Sequence, residues 1–313
     1  MDRKRISETP LQRISDANDS PHSINLWIKR EDLIHPQLSG NKWHKLRFNL
    51  QHAKESGLNG VISFGGAFSN HLHALAWAGQ QQGLKTVGVV RGELTEPLNP
   101  TLADCKRWGM SLIPVSREEY RRRADQVIIN RLRASFPDHL LLPEGGANDF
   151  AIQGCQQWAL EIQQQLPNID YLCVASGTGA TLAGLIAGLP PKVKVLGFPV
   201  LKGDSELASR LENWLAPYSN HARWRIIENY HFGGYAKVTQ ELVQFIDAWQ
   251  AKTRIPIEPI YTGKLLYGVM KLLEADYFPA DSNVVVVHSG GMQGLRGMQA
   301  KLKKLRQQAN SRR

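Results

Sequence analysis

The chain has 313 residues, 42% of them hydrophobic, and carries 38 Lys and Arg against 28 Asp and Glu, a formal charge of +10. That length builds one large core or two modest ones, while no stretch reaches the roughly 20 apolar residues that span a bilayer. Met1-Asp2-Arg3-Lys4-Arg5 leads into no apolar signal core, and three widely spaced cysteines (Cys105, Cys155, Cys173) suit reduced thiols, so a cytoplasmic protein is expected.

In chain order, short β-branched runs alternate with helix-length segments. Strands are predicted at 61–64, 86–90, 111–115, 140–142, 171–175, 193–198 and 284–288, and helices at 69–82, 117–134, 148–165 and 235–252. The alternation predicts an α/β fold of βαβ units with mostly parallel sheets. Right-handed crossovers then gather loops at the strand carboxyl ends, where ligands bind. Pro143-Glu144-Gly145-Gly146 is the strongest breaker near the middle, and a cleft between two α/β domains suits a reaction that excludes water.

The chain closes with Met292, Leu295, Met298, Leu302 and Leu305 at helical spacing, interleaved with Lys301, Lys303, Lys304 and Arg306. An amphipathic helix with a solvated basic face explains that pattern. Arg121-Arg122-Arg123 holds most of the remaining excess. No aromatic-basic module accompanies either cluster, so nucleic acid is not an expected partner. No CxxC pair or His-rich cluster suggests a metal.

Three segments carry chemistry. Leu38-Ser39-Gly40-Asn41-Lys42 sets a lysine directly after a tight turn, where a helix begins. Burial lowers the pKa of such an amine and lets it form an imine with a carbonyl cofactor. Lys45 is the rival amine, three residues into the presumed helix. Gly65-Gly66-Ala67-Phe68-Ser69-Asn70-His71 follows a strand and opens a helix. Its N–H groups suit a substrate carboxylate, although Ser69 or Asn70 equally serves as a plain helix cap, and His71 equally reads as a core or surface histidine. Ser176-Gly177-Thr178-Gly179-Ala180-Thr181 lies between strand and helix with three hydroxyls, a setting for phosphate; the plainer reading is a turn that packs a helix on a sheet. A dinucleotide fingerprint fails at Leu182, and a Walker motif fails because Leu265 follows Gly263-Lys264. One amine and two anion nests are what a pyridoxal phosphate enzyme needs.

These segments, taken with others in order, resemble a known family. Lys29-Arg30-Glu31-Asp32-Leu33, Ser39-Gly40-Asn41-Lys42, Gly65-Gly66 with Ser69-Asn70-His71, and Pro143-Glu144-Gly145-Gly146-Ala147-Asn148 come first. Ser176 to Thr181, Tyr261-Thr262-Gly263-Lys264 and His288-Ser289-Gly290-Gly291 complete the set. The chain is similar to the tryptophan synthase β-like, fold-type II pyridoxal phosphate enzymes, in the branch of 1-aminocyclopropane-1-carboxylate deaminase and D-cysteine desulfhydrase. The resemblance implies two open, mostly parallel sheets flanked by helices, with the cofactor in the cleft between them. A smaller domain is expected at 46–146 and a larger, cofactor-binding one at 1–45 plus 147–313. A homodimer is also implied.

Roles follow from the same resemblance. Lys42 is the Schiff-base lysine and removes the substrate α-proton. Asn70 bonds the cofactor's phenolic oxygen, and Ser176, Gly177, Thr178, Gly179, Ala180 and Thr181 cradle its phosphate. Ser69 and adjacent N–H groups take the substrate carboxylate, with Asn70 and His71 as further substrate contacts. Tyr261 stands over the reacting atoms as a proton donor. Thr262 occupies the place where the deaminase branch has a glutamate against the pyridine nitrogen. A hydroxyl carries no compensating charge, so a neutral ring nitrogen and β-elimination of a good leaving group are favoured. The implied reaction converts D-cysteine to pyruvate, hydrogen sulfide and ammonia. Deamination of the cyclopropane amino acid to 2-oxobutanoate is the alternative, and a non-catalytic cofactor or amino-acid binder is a third reading.

The chain departs from the family pattern twice. Tyr230-His231-Phe232-Gly233-Gly234-Tyr235 replaces the usual Tyr-Gly-x-Pro-Asn, and Met292-Gln293-Gly294-Leu295 replaces Pro-Ala-Leu after His288-Ser289-Gly290-Gly291. Both changes fall where relatives shape substrate choice.

Overall fold

The computed structural model describes residues 8–14, 23–38 and 40–310, apart from the side chains of residues 309 and 310. Met1 to Arg5, Ser39 of the lysine turn and residues 311–313 of the basic tail lie outside the described residues. Two sheets form. The chain enters with β1 (Leu11–Arg13), antiparallel to β2 (Asn25–Arg30). After α1 (Lys42–Glu55) come β3 (Gly60–Gly66), α2 (Asn70–Gln82), β4 (Lys85–Arg91), α3 (Pro100–Arg107), β5 (Met110–Val115), α4 (Arg117–Arg121), α5 (Gln126–Ser135) and β6 (His139–Leu141). These four strands make a parallel sheet in the order β5-β4-β3-β6.

The chain then builds the larger sheet. Its elements are α6 (Asp149–Gln165), β7 (Tyr171–Ser176), α7 (Ala180–Gly188), β8 (Lys194–Pro199), α8 (Leu207–Leu215), β9 (Arg223–Ile226), α9 (Gln240–Thr253), α10 (Thr262–Glu274), β10 (Asn283–His288) and α11 (Gln299–Asn310). The order is β1-β2-β10-β7-β8-β9, parallel throughout except for β1. Strands β7 and β10 are neighbours, so the loops leaving their carboxyl ends open side by side.

Parallel sheets need cover on both faces, which makes their strands continuous apolar runs. In β10, Val284, Val285, Val286 and Val287 all have 0% exposure. Val284 and Val286 pack with Ile246, Leu265 and Leu266 on one face, while Val285 and Val287 pack with Ile152, Trp158 and Leu182 on the other. Burying each such valine contributes on the order of 1.5–3 kcal/mol. The four-stranded sheet repeats the scheme, with Val61 and Val90 facing one core and Ile62, Phe64 and Val87 the other.

Among the described residues all seven expected strands form, and three more appear. β2 went unread because its end carries charges that look solvent-seeking. Lys29 and Glu31 are each 1% exposed, and both are satisfied inside. Lys29 donates to Thr9 O and Gln165 Oε1 (2.5 and 2.8 Å), while Glu31 takes hydrogen bonds from Thr9 (2.5 Å) and Trp158 (3.0 Å) and pairs with His44 (3.0 Å). The helix expected at 117–134 is broken between α4 and α5, where Arg122 turns to Asp125 and Arg123 to Glu144. The helix expected from 235 starts at Gln240, capped by Thr239, whose hydroxyl accepts from Leu242 N at 3.3 Å. The closing helix expected from 292 begins as a tight 3-10 turn over Met292–Gly297 before α11. In α11, Leu302 is buried, and Lys301, Lys303, Lys304 and Arg306 are exposed. Among the described residues no helix is long and apolar enough to cross a membrane.

Candidate active site

The lysine turn is shaped by close approach. Gly40 has φ +62°, and a Cβ there would lie 2.1 Å from Ser289 O, so only glycine lets the turn lie on the loop after β10. Asn41 N donates to that same carbonyl at 3.2 Å. Asn41 precedes α1, where an asparagine ordinarily caps the helix, yet its side chain makes no cap bond. Instead Asn41 Nδ2 donates to Thr181 Oγ1 at 2.9 Å, and Asn41 Oδ1 accepts from Lys42 Nζ at 2.6 Å. Lys42 and the loop at 176–181, separated by more than 130 residues in the chain, thus meet through one carboxamide.

Burial, and then the second amine of Lys45, push the Lys42 pKa down to about 7. A large share of Lys42 is therefore free amine at neutral pH. Burial also pushes Lys45 down, to about 8. Its Nζ lies 3.6 Å from where a Gly145 Cβ would stand, and Thr178 Oγ1 lies 3.7 Å from the same point. Lys45 therefore neighbours the loop after β7.

That loop ends β7 at Ser176 and starts α7 after Gly179, which has φ +97°. No side chain caps α7, which leaves its first N–H groups and dipole for a ligand anion. Ser176 Oγ is buried and has no hydrogen-bond partner among the described residues. The ring of Tyr261 stands against Gly177, 3.5 Å from where a Cβ would be.

Tyr261 and Thr262 open α10. Glu258 takes up the N–H groups there, accepting from Ile260 N (2.6 Å), Tyr261 N (2.9 Å) and Thr262 N (2.6 Å). Burial nonetheless raises the Glu258 pKa. Thr262 is 0% exposed, and its Oγ1 has no partner. The Tyr261 and Tyr235 rings meet edge-on, with centroids 6.1 Å apart, and burial, followed by the Tyr235 phenol, raises the Tyr261 pKa well above the usual phenol value. Tyr261 thus keeps its proton across the working range. Lys264 is structural: it donates to His231 O at 2.9 Å and Gly234 O at 2.7 Å, pinning the loop that presents Tyr235.

From the smaller sheet, Ser69 caps α2, its Oγ accepting from Leu72 N at 3.2 Å. The hydroxyl proton remains available to a ligand. Asn70 Oδ1 accepts from Gln293 Nε2. His71 is 3% exposed and turned beneath the loop after β6, with Nε2 2.8 Å from Ser63 Oγ. Ser63 Oγ in turn donates to the carbonyls of Leu142 and Pro143, so His71 Nε2 carries the proton and Nδ1, buried without a partner, is the acceptor. Burial, with Lys45 and Lys42 nearby, holds the imidazole neutral.

Sequence reasoning did not single out Gln293, Tyr235 or Glu258. Gln293 and Tyr235 lie in the two segments that depart from the family pattern. A carboxylate four residues ahead of a helix start was the available sign for Glu258. Among the described residues no cluster of three or more His, Cys, Asp or Glu is arranged for a metal ion.

The residues suit pyridoxal phosphate. A partly deprotonated lysine adjoins an uncapped helix start, and two buried hydroxyls, Ser176 Oγ and Thr262 Oγ1, await partners. Such orphans are costly in a sealed core and are explained by a polar ligand.

Comparison with known proteins agrees. Residues 3–290 match the model of the pyridoxal-phosphate dependent enzymes. The chain is 30% identical over 306 residues to a putative 1-aminocyclopropane-1-carboxylate deaminase of Thermotoga maritima, covering 93% of this chain and 96% of that one. It is 29% identical over 309 residues to a mitochondrial bifunctional D-cysteine desulfhydrase/1-aminocyclopropane-1-carboxylate deaminase of Arabidopsis thaliana, covering 92% and 77%. A solved structure of an ACC deaminase homologue superposes with a TM-score of 0.83 at 27% identity, covering 96% of this chain and 94% of that one. The chain belongs to the family of pyridoxal-phosphate dependent enzymes.

Proposed function

We propose that this enzyme catalyses β-elimination from a small amino acid, with D-cysteine as substrate and pyruvate, hydrogen sulfide and ammonia as products. The Arabidopsis relative carries that activity in its name, together with 1-aminocyclopropane-1-carboxylate deamination. The observation that carries the choice is the Thr262 hydroxyl, buried without a partner, beside a Glu258 carboxylate committed to three backbone N–H groups. A hydroxyl supplies no charge to keep a ring nitrogen protonated. Expelling a good leaving group demands less electron withdrawal than opening a cyclopropane.

Bound pyridoxal phosphate supplies the carbonyl that joins an amine and the ring that accepts the electron pair left at the α-carbon. Lys42 would be the joining amine and the base that takes the α-proton. Ser176 to Thr181 would hold the phosphate, with Lys45 as nearby countercharge. Ser69 would donate to the substrate carboxylate, Asn70 would donate to the cofactor's phenolic oxygen, and Thr262 would serve its ring nitrogen. His71 positions the loop after β6, and its Nδ1 accepts from the substrate side. Tyr261, still protonated, gives its proton to the departing β-group. A homodimer, with a smaller domain at 46–146 and a larger one at 1–45 plus 147–313, completes the proposal.

The test gives the cofactor-loaded protein a panel of D- and L-amino acids and 1-aminocyclopropane-1-carboxylate, with keto acid and sulfide measured. Pyruvate and sulfide from D-cysteine are expected. Release of 2-oxobutanoate from the cyclopropane substrate alone would move the assignment to deamination. No turnover with cofactor retained would make the protein a binder.

A further inference from the structure

Gln293 occupies one of the two segments that depart from the family pattern, and it touches Asn70 directly. Its Nε2 donates to Asn70 Oδ1. Its Oε1 accepts from Thr101 Oγ1 at 2.9 Å and from Arg296 Nη2 at 3.2 Å. Arg296 Nη1 donates in turn to Asp104 Oδ2 at 2.6 Å, and the other Asp104 oxygen accepts from Arg107 at 2.7 Å. The chain of contacts runs from α3, on the smaller sheet, into the turn after β10 on the larger one.

Donor and acceptor polarity is fixed where Arg296 stands, because a guanidinium only donates and a carboxylate only accepts, while the Thr101 hydroxyl adapts to either. Arg296 Nη2, which also lies 3.4 Å from His73 Nε2, faces the Gln293 side chain at 3.2 Å, so the Gln293 atom there is its oxygen and the amide nitrogen is left for Asn70. Asn70 must answer with its oxygen, so its own nitrogen is turned away from Gln293. That nitrogen lies 3.0 Å from where a Gly291 Cβ would stand, two residues along the chain from Ser289, whose carbonyl receives the lysine turn.

We infer that Asp104, Arg296 and Gln293 form a polarity relay whose function is to hold Asn70 as a hydrogen-bond donor toward the cofactor's phenolic oxygen. The inference rests on the role proposed above for Asn70. Gln293 is a positioning residue: it acts through Asn70. An amide left unconstrained presents either end with similar ease, and only the donor end stabilises an anionic oxygen.

Gln293→Glu reverses the relay. A carboxylate there still accepts from Arg296 and Thr101 but now also accepts from Asn70, turning the Asn70 oxygen toward the cofactor. The readouts are the visible band of the bound cofactor, its pH midpoint, and the cofactor Kd. Gln293→Glu is expected to raise the midpoint and weaken the Kd about tenfold, the scale of one charge-assisted hydrogen bond. Gln293→Met, which frees the amide without reversing it, is expected to fall between Gln293→Glu and the unaltered protein. Asn70→Ala is the reference. If Asn70→Ala shifts the band and Kd while both Gln293 variants match the unaltered protein, the relay is overturned and the Asn70 assignment stands. If Asn70→Ala itself changes nothing, the Asn70 assignment falls and the relay with it. Should a Gln293 variant fail to fold by circular dichroism, Thr101→Val, which removes one donor to the Gln293 oxygen, replaces it. A smaller shift in the same direction supports the relay, and no shift overturns it.

Discussion

Asn41 donates from Nδ2 to Thr181 Oγ1 at 2.9 Å, and this bond is the strut between the lysine turn and the loop after β7. The other end of the same amide holds Lys42 Nζ at 2.6 Å. An asparagine at this position normally satisfies its own helix; here it serves two partners in the cleft instead.

Asn41→Ser removes the strut. Position 41 has helical backbone (φ −57°, ψ −12°), so a serine there does not cap α1, and it is too short to bridge Lys42 and Thr181. Folding stability, measured by urea denaturation of the apo protein, is expected to fall by about 1–2 kcal/mol, the scale of the lost hydrogen bonds. The cofactor Kd is expected to rise about tenfold. An unchanged Kd would contradict the strut.

The reactivity of Lys42 should follow pH through its depressed pKa. A lysine reacts with an aldehyde only as free amine, so capture of pyridoxal by the apo protein should rise through about pH 7 and level off above it. The sign of the Lys45 effect is fixed: a positive neighbour disfavours the ammonium form, so removing it raises the Lys42 pKa. Lys45→Met should therefore move the capture midpoint to higher pH. Pyridoxal without its phosphate keeps this measurement independent of anion binding. A midpoint that stays put, or moves down, would show that the two amines do not interact.

Thr262→Val tests the orphan hydroxyl. Its oxygen has no partner among the described residues, so replacing it with a methyl of similar shape should leave apo stability unchanged or slightly higher, within about 0.5 kcal/mol by denaturant titration. The cofactor-loaded protein should lose affinity and elimination rate. A destabilisation of the apo protein by more than about 1 kcal/mol would mean that the hydroxyl is already bonded and does not wait for a ligand.

Much of this was legible in the residues. The strands at 61–64 and 284–288 are buried on both faces, so their apolar runs stand out, and the turns that follow them carry glycines with a mechanical reason to be there. β2 stayed hidden because Lys29 and Glu31 are buried as a satisfied charged network, which no periodicity reports. The expectation of Lys42 over Lys45 rests on its place on the turn, whereas the proximity of Lys45 to the loop after β7 is a three-dimensional fact. Gln293 was visible as a departure from a pattern. Its contact with Asn70 spans 223 positions and needed the two sheets to be folded together.

The covalent assignment is tested most directly by reducing the cofactor-loaded protein with borohydride, digesting it and mapping the modified peptide by mass spectrometry. The phosphopyridoxyl mass should fall on Lys42 and disappear in Lys42→Ala. The same mass on Lys45, or on no lysine at all, would contradict the account.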